Sequence, residues 1–395
     1  MKRFMPVFLT LILIFSGCAV QKSETENRKS NIVTPSESYI KAVWLSYREL
    51  SEMINGADEQ SFREEALEVI TNLTDTGLNT LIVHAVAFCD SFYKSRILPE
   101  SKYSNGKIGS YDPFGIICEM CSLAGISVQA WINPYRVSTE NDISLLNENS
   151  PARKMYEKNK NELIITESGI FLNPASMNTQ KLILSYCREL AEKYEISAIH
   201  LDDYFYPSKE VNIDKQSFEQ FRKSGGTLTL ENWRRQNVTS LISSLHLLTK
   251  QNGIELCISP IADIEKNFSL KFADIRFWID SGLIDIVIPQ IYFGFENQFM
   301  PFEKCIDEWI EITNGSKTRL AIGLAFYKCG HIDENAGTGK NEWIDNSDVI
   351  SRETELILGK NTIYGVSFFS YSYIFGKKIV KNAKKELQML KSMLY

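Results

Sequence analysis

Residues 179–207, TQKLILSYCRELAEKYEISAIHLDDYFYP, contain the reading on which the fold turns. In the first half, Leu182, Ile183, Tyr186, Leu190 and Ala191 recur at spacings of three and four, while Lys181, Arg188, Glu189, Glu192 and Lys193 take the other positions. That periodicity predicts an amphipathic helix over 179–194, packed on one face and wet on the other. Residues 198–202 then read as a short strand, with Ile199 and Leu201 facing one way and His200 and Asp202 the other.

Working outward, the same alternation covers the chain from Tyr39 onward. Strands are expected at 40–45, 80–86, 126–132, 198–202, 254–260, 284–292, 319–326 and 363–371, and helices at 61–76, 179–194, 232–251, 299–313 and 377–393. A helical crossover returns the chain in the direction it started, so the strands must be parallel. Eight such units predict an α/β fold, a closed (β/α)8 TIM barrel, and no G-x-G-x-x-G follows the first strand to favour an open doubly wound sheet. A barrel uses roughly 250 residues. The surplus falls in segments 134–178, 204–231 and 327–346, each after a strand's C-terminal end, which predicts long βα loops on the face where barrel enzymes build their sites.

Composition narrows the function. With 44% hydrophobic and 23% charged residues the chain is an ordinary globular protein, and 43 Lys plus Arg against 49 Asp plus Glu leave −6, no basic field for nucleic acid. The first 17 residues read as an address. Lys2 and Arg3 precede an apolar run over 4–15, shorter than the roughly 20 residues a spanning helix needs, and Phe15-Ser16-Gly17-Cys18 resembles a bacterial lipoprotein box with Phe in place of the usual Leu. The expectation is a signal peptide over 1–17, lipidation at Cys18, a polar tether over 18–38, one domain over 39–395, and a protein anchored outside the cytoplasm by an N-terminal lipid. The oligomeric state is not legible. Of the eight cysteines, the seven beyond Cys18 fall mostly in apolar segments and read as small core residues; Cys118-x-x-Cys121 has no second pair to make a metal or redox site. The four histidines, His84, His200, His246 and His331, form no ligand pair, so neither metal nor cofactor is expected.

Chemistry concentrates at predicted strand ends. His200 and Asp202 would point into the barrel mouth, with Asp203 opening the next loop; a charged group inside a barrel costs several kcal/mol unless it is paired or used. Strand three ends in Trp131, Asn133, Tyr135 and Arg136, strand five runs into Asp263, and strand six ends in Gln290 and Tyr292. Trp131, Tyr135, Tyr204, Tyr206, Tyr292, Phe293, Phe295, Tyr327 and Tyr371 could offer flat faces suited to sugar rings, though about half of such rings would be expected to pack under loops.

These strings carry a resemblance. YDPFGIICEMCSLAGISVQAWINPYRV, ISAIHLDDYFYP, WRRQNV, ISPIADIEKN, IDIVIPQIYFGFE and GVSFFSYS resemble the glycosyl hydrolase-like family 10 proteins, from about Ala42 to Phe375. The resemblance implies a barrel glycosidase acting on glycan, some relatives being linked to cell-wall strands stripped of their peptides. It matches Asp202 and Asp203 to the family's paired acids, and Trp131, Asn133, Tyr135, Arg136, Gln290 and Tyr292 to its cleft. One position departs: Val86 follows His84 by two residues where the family commonly has Arg.

Glycoside hydrolysis needs two carboxyl groups, one protonated to help the leaving oxygen and one ionised to attack or to activate water. Asp202 is the first choice, with Asp203, Asp263 or Asp90 as partner. Separations of roughly 5–5.5 Å and 6.5–9.5 Å distinguish retaining from inverting enzymes, and sequence leaves this open. His84, Trp131, Asn133, Tyr135, Arg136, His200, Tyr204, Gln290 and Tyr292 are the candidate substrate-binding residues; His200 could tune Asp202, and Arg136 could hold a substrate carboxylate such as a muramic lactyl group. The leading expectation is thus a glycoside hydrolase of peptide-free peptidoglycan strands or a related amino-sugar polysaccharide. The alternative, favoured by Val86, is a non-catalytic glycan-binding surface lipoprotein that keeps the cleft.

Overall fold

The computed structural model describes residues 39–395. The expected signal peptide, Cys18 and the tether lie outside the described residues. The strands, in chain order, are β1 (Ile40–Leu45), β2 (Thr80–Val86), β3 (Ser127–Ile132), β4 (Arg136–Ser138), β5 (Leu163–Thr166), β6 (Gly169–Leu172), β7 (Ala198–Leu201), β8 (Glu255–Ile258), β9 (Ile286–Val287), β10 (Arg319–Leu324) and β11 (Gly365–Phe368). Eight of them close a parallel barrel in the order β1-β11-β10-β9-β8-β7-β3-β2. The (β/α)8 fold is therefore the one the alternation predicts, and closure leaves the barrel no unpaired edge.

Side-chain alternation makes two cores. Ile40, Ala42 and Trp44 of β1 join Ile82, Trp131, Ala198, Cys257, Ile286 and Ala321 inside the barrel, while Val43, Leu45, Ile199 and Leu201 pack outward in the larger core shared with the helices. The helix Met177–Lys193 covers β7 as its periodicity requires, and Ser176 caps it by accepting from the Asn178 and Thr179 amides. Glu189 departs from the wet face assigned to it: it is buried and accepts from the Arg96 amide and the Ser95 hydroxyl. The seven described cysteines are all free and buried, in keeping with a core role.

The sixth barrel strand is far shorter than the nine residues its apolar run suggests. Only Ile286 and Val287 form a regular ladder, because Pro289 has no N–H to donate, and pairing resumes through single bridges from Gln290 to Ile261 and to Gly323. The long loop after β3 is not irregular: β4, β6 and β5 form a small antiparallel sheet within it.

Among the described residues, one buried carboxyl group has no hydrogen-bond partner. Glu353, on the helix Val349–Leu358, is 1% exposed with neither carboxyl oxygen partnered, and burial, reinforced by the charges of Glu342 and Glu386, pushes its pKa well above the usual carboxylate range. A carboxyl whose folded pKa is raised stabilises fully below its unfolded pKa, and that contribution is lost as pH rises toward the folded one. Glu353→Met should accordingly raise stability by about 2 kcal/mol near neutral pH, with a smaller gain near pH 4 where both states hold the proton; denaturant titrations at the two pH values measure the difference.

Candidate active site

The C-terminal ends of the barrel strands surround a cavity of 470 Å³ lined by Trp44, Glu49, His84, Trp131, Asn133, Arg136, Asp202, Asp203, Tyr204, Gln290, Tyr292 and Phe369, among others. Its floor is aromatic. Trp131 stacks on His84 with centroids 3.3 Å apart and meets Trp44 edge-on at 4.9 Å. His84 is fixed as the neutral ring, since Nδ1 accepts from the Tyr47 amide at 3.0 Å while burial lowers its pKa well below the usual value.

Asp202 follows β7 directly and is 2% exposed, yet it forms part of the cavity wall. Its Oδ2 accepts from the Trp131 indole N–H at 3.0 Å and its Oδ1 from the Tyr204 amide at 3.1 Å. Both bonds favour the ionised form, as does the Arg136 charge, but burial and the neighbouring Asp203 charge outweigh them and raise the pKa well above the normal aspartate range. Asp203 stands in a wetter setting, with the Lys271 ammonium 3.5 Å from Oδ2 and the Gln290 amide 3.4 Å from Oδ1; Gln290 is itself held by the Ser259 carbonyl at 2.9 Å. Two adjacent acids in environments of opposite character can divide proton donation from the role that needs a charge.

Arg136 lies between two rings, 4.7 Å from the centroid of Phe88 and 4.4 Å from that of Tyr204. Among the described residues it has no carboxylate or hydrogen-bond partner, so the rings fix the guanidinium while its N–H groups stay available to whatever enters.

The loop carrying the acids is locked from behind. Asp214 takes two bonds from Arg234, at 2.8 and 2.6 Å, and a third from the Tyr206 hydroxyl at 2.5 Å, and the Arg234–Asp214 pair is 1% and 0% exposed. This explains why the WRRQNV and HLDDYFYP strings belong together: one supplies the arginine that clamps the loop opened by the other.

Of the candidates read from sequence, His84, Trp131, Asn133, Arg136, Asp202, Asp203, Tyr204, Gln290 and Tyr292 come together around the cavity. Three do not. Asp263 caps the helix Ile264–Ser269, accepting from the Lys266 amide at 2.9 Å and pairing with its ammonium at 3.0 Å; partial burial opposes ionisation, but these bonds prevail and lower its pKa. His200 lies wholly buried beneath the floor, between Gln129 at 2.6 Å and Ser259 at 2.8 Å, and burial lowers its pKa to about 3, so it is neutral and no charge of its own tunes Asp202. Tyr135 is wholly buried in the outer core. Asp90, the remaining partner candidate, belongs to a separate hollow. Val86 is also off the cavity: the register between β2 and β3 shifts between His84 and Val86, and Val86 packs in the outer core.

The first and last strand ends supply what sequence reasoning missed. Glu49 is buried beside the cavity, accepting from the Ser46 amide at 2.6 Å, the Ser370 hydroxyl at 2.8 Å and the Ser372 amide at 2.7 Å, so it ties the loop after β1 to the loop after β11. The signal was available, because the same strand-end rule that singled out Asp202 applies to the residues following Leu45 and Phe368.

Residues 39–343 match the model of the family described as Glycosyl hydrolase-like 10. The chain is 27% identical over 344 residues to the glycosyl hydrolase DigH of Escherichia coli K12, covering 79% of this chain and 76% of that one. It is 26% identical over 355 residues to the glycosyl hydrolase YngK of Bacillus subtilis 168, covering 82% and 68%. Among solved structures, the PgaB (BpsB) glycoside hydrolase domain of Bordetella bronchiseptica superposes with a TM-score of 0.61 at 11% identity, over 89% of this chain and 99% of that one. The β-amylase catalytic domain of Paenibacillus polymyxa gives 0.58 at 11%, over 91% and 99%. At such identities these likenesses speak for the fold alone.

Arg234→Met should cost about 3–5 kcal/mol, since it strands the buried Asp214 carboxylate, whereas Arg234→Met combined with Asp214→Leu should recover most of that loss; denaturant unfolding of the two variants decides it.

Proposed function

We propose, from the premise that the chain belongs to the glycosyl hydrolase-like 10 family, that it is a glycoside hydrolase of peptide-free cell-wall glycan or a closely related amino-sugar polymer. The observation that carries the reading is the pairing of a buried aspartate with an ion-paired one on the wall of a single aromatic-floored cavity. Asp202, kept protonated by its surroundings, gives its proton to the leaving glycosidic oxygen, while Asp203, held by Lys271 and Gln290, acts as the charged partner. Trp131, Tyr204 and Tyr292 offer faces to the sugar rings. The guanidinium of Arg136 suits a carboxylate carried by the glycan, as a lactyl group stripped of its peptide would present. The sequence of residues 1–38 supports a surface lipoprotein that meets this substrate outside the cytoplasm. Val86, the position that favours a non-catalytic binding module, packs away from the cavity.

Incubation of the full-length protein with peptide-free cell-wall glycan should release soluble products, and Asp202→Asn or Asp203→Asn should each lower turnover by about 10²–10⁴-fold. Retention of turnover in both variants, or no product from the native protein, contradicts the reading. Because the acid must hold its proton, kcat/KM should fall as pH rises through the elevated pKa of Asp202, and a steady-state pH profile will show that limb. Arg136→Ala should raise KM for acidic glycan about tenfold and leave a neutral amino-sugar oligomer little affected, which comparison of the two substrates measures.

A further inference from the structure

A second hollow of 230 Å³ opens on the same face of the barrel, between the segment after β2 and the segment after β4. Phe88 joins it to the main cavity: the ring lines the second hollow and carries on its face the Arg136 guanidinium that lines the first. The lining is mixed. Phe88, Pro99, Val137 and Leu145 supply apolar surface, and Leu145 remains 61% exposed, an aliphatic side chain left in water on the rim. Opposite these stand hydrogen-bonding groups. Asp90 is 8% exposed with Oδ1 accepting from the Phe88 amide at 3.1 Å, and burial raises its pKa. Lys102 and Glu140 face each other at 3.6 Å across exposed positions and offset one another's charge.

Apolar surface on one side and hydrogen-bonding groups on the other match a pyranose, whose C–H faces are apolar and whose hydroxyls both donate and accept. The hollow is smaller than the roughly 300–1,000 Å³ of pockets for larger ligands, which suits one ring. We propose that it is an outer subsite, binding one sugar of the same glycan chain whose scissile bond lies between Asp202 and Asp203, so that the chain crosses the Phe88–Arg136 stack and is cut internally. This rests on the glycosidase reading.

Asn147 lines the hollow and is exposed, so Asn147→Trp fills the space without disturbing the core. In full-length protein, affinity for peptide-free glycan oligomers should rise about tenfold once the chain is long enough to reach the second hollow, and Asn147→Trp should abolish that rise while leaving disaccharide affinity and turnover unchanged. Products without any length dependence overturn the subsite and spare the glycosidase. A length step removed by Asn147→Trp but with no products from any oligomer upholds the subsite and overturns catalysis. Absence of affinity for every oligomer overturns both.

Discussion

Two adjacent carboxyl groups at the end of β7 cannot both be comfortable as anions, and the structure resolves the conflict by giving them unlike surroundings. Asp202 is turned into the protein against the Trp131 indole, and Asp203 toward the Lys271 ammonium. Everything else near the site serves that difference. The barrel supplies a strand whose alternation aims residue 202 inward, Trp131 comes from the neighbouring strand opposite His200, and Lys271 from the segment between β8 and β9. The elevated pKa of Asp202 follows from burial and from its neighbour, and needs no unusual chemistry.

Rigidity comes from behind the site. The Arg234–Asp214 pair, with the Tyr206 hydroxyl on the same carboxylate, fixes the loop that Asp203 opens. A pair so fully removed from water gains little net stability over an apolar substitute, so its value lies in holding one loop geometry. Glu49 does the corresponding work across the meeting of the first and last strands, with its oxygens occupied by backbone and serine donors. An acid used up in this way is a brace, although it borders the cavity.

Much of this was legible in the sequence, for reasons that differ by element. The barrel was, because eight apolar runs alternate with amphipathic helices and only parallel closure satisfies them. Asp202 and Asp203 were, because a charge at a strand end is expensive without a use. The shortness of β9 was obscured by an apolar run that continues past Pro289, where the ladder loses a donor. Asp263 looked like a third acid because its position after a strand is right, but a residue at the start of a helix is drawn to cap it. His200 shares the pattern of the cavity residues and differs only in depth, which alternation does not encode, while Tyr135 lies past the end of β3, where a period of two no longer applies, and packs in the outer core. Val86 appeared to replace a cleft residue since a strict period of two puts it on the same side as His84; a bulge breaks that period.

The central claim is that Asp202, buried against the Trp131 indole, keeps its proton to higher pH than an ordinary aspartate, beside an Asp203 that pairs with Lys271. Infrared difference spectroscopy of the full-length protein near neutral pH tests it directly, because a protonated carboxyl has a carbonyl stretch that a carboxylate lacks. Because Glu353 and Asp90 are also buried carboxyls with raised pKa values, the test is the native-minus-variant difference: a protonated-carboxyl component is expected to be missing from Asp202→Asn and retained in Asp203→Asn. No such difference for Asp202→Asn, or one seen only for Asp203→Asn, would contradict the claim.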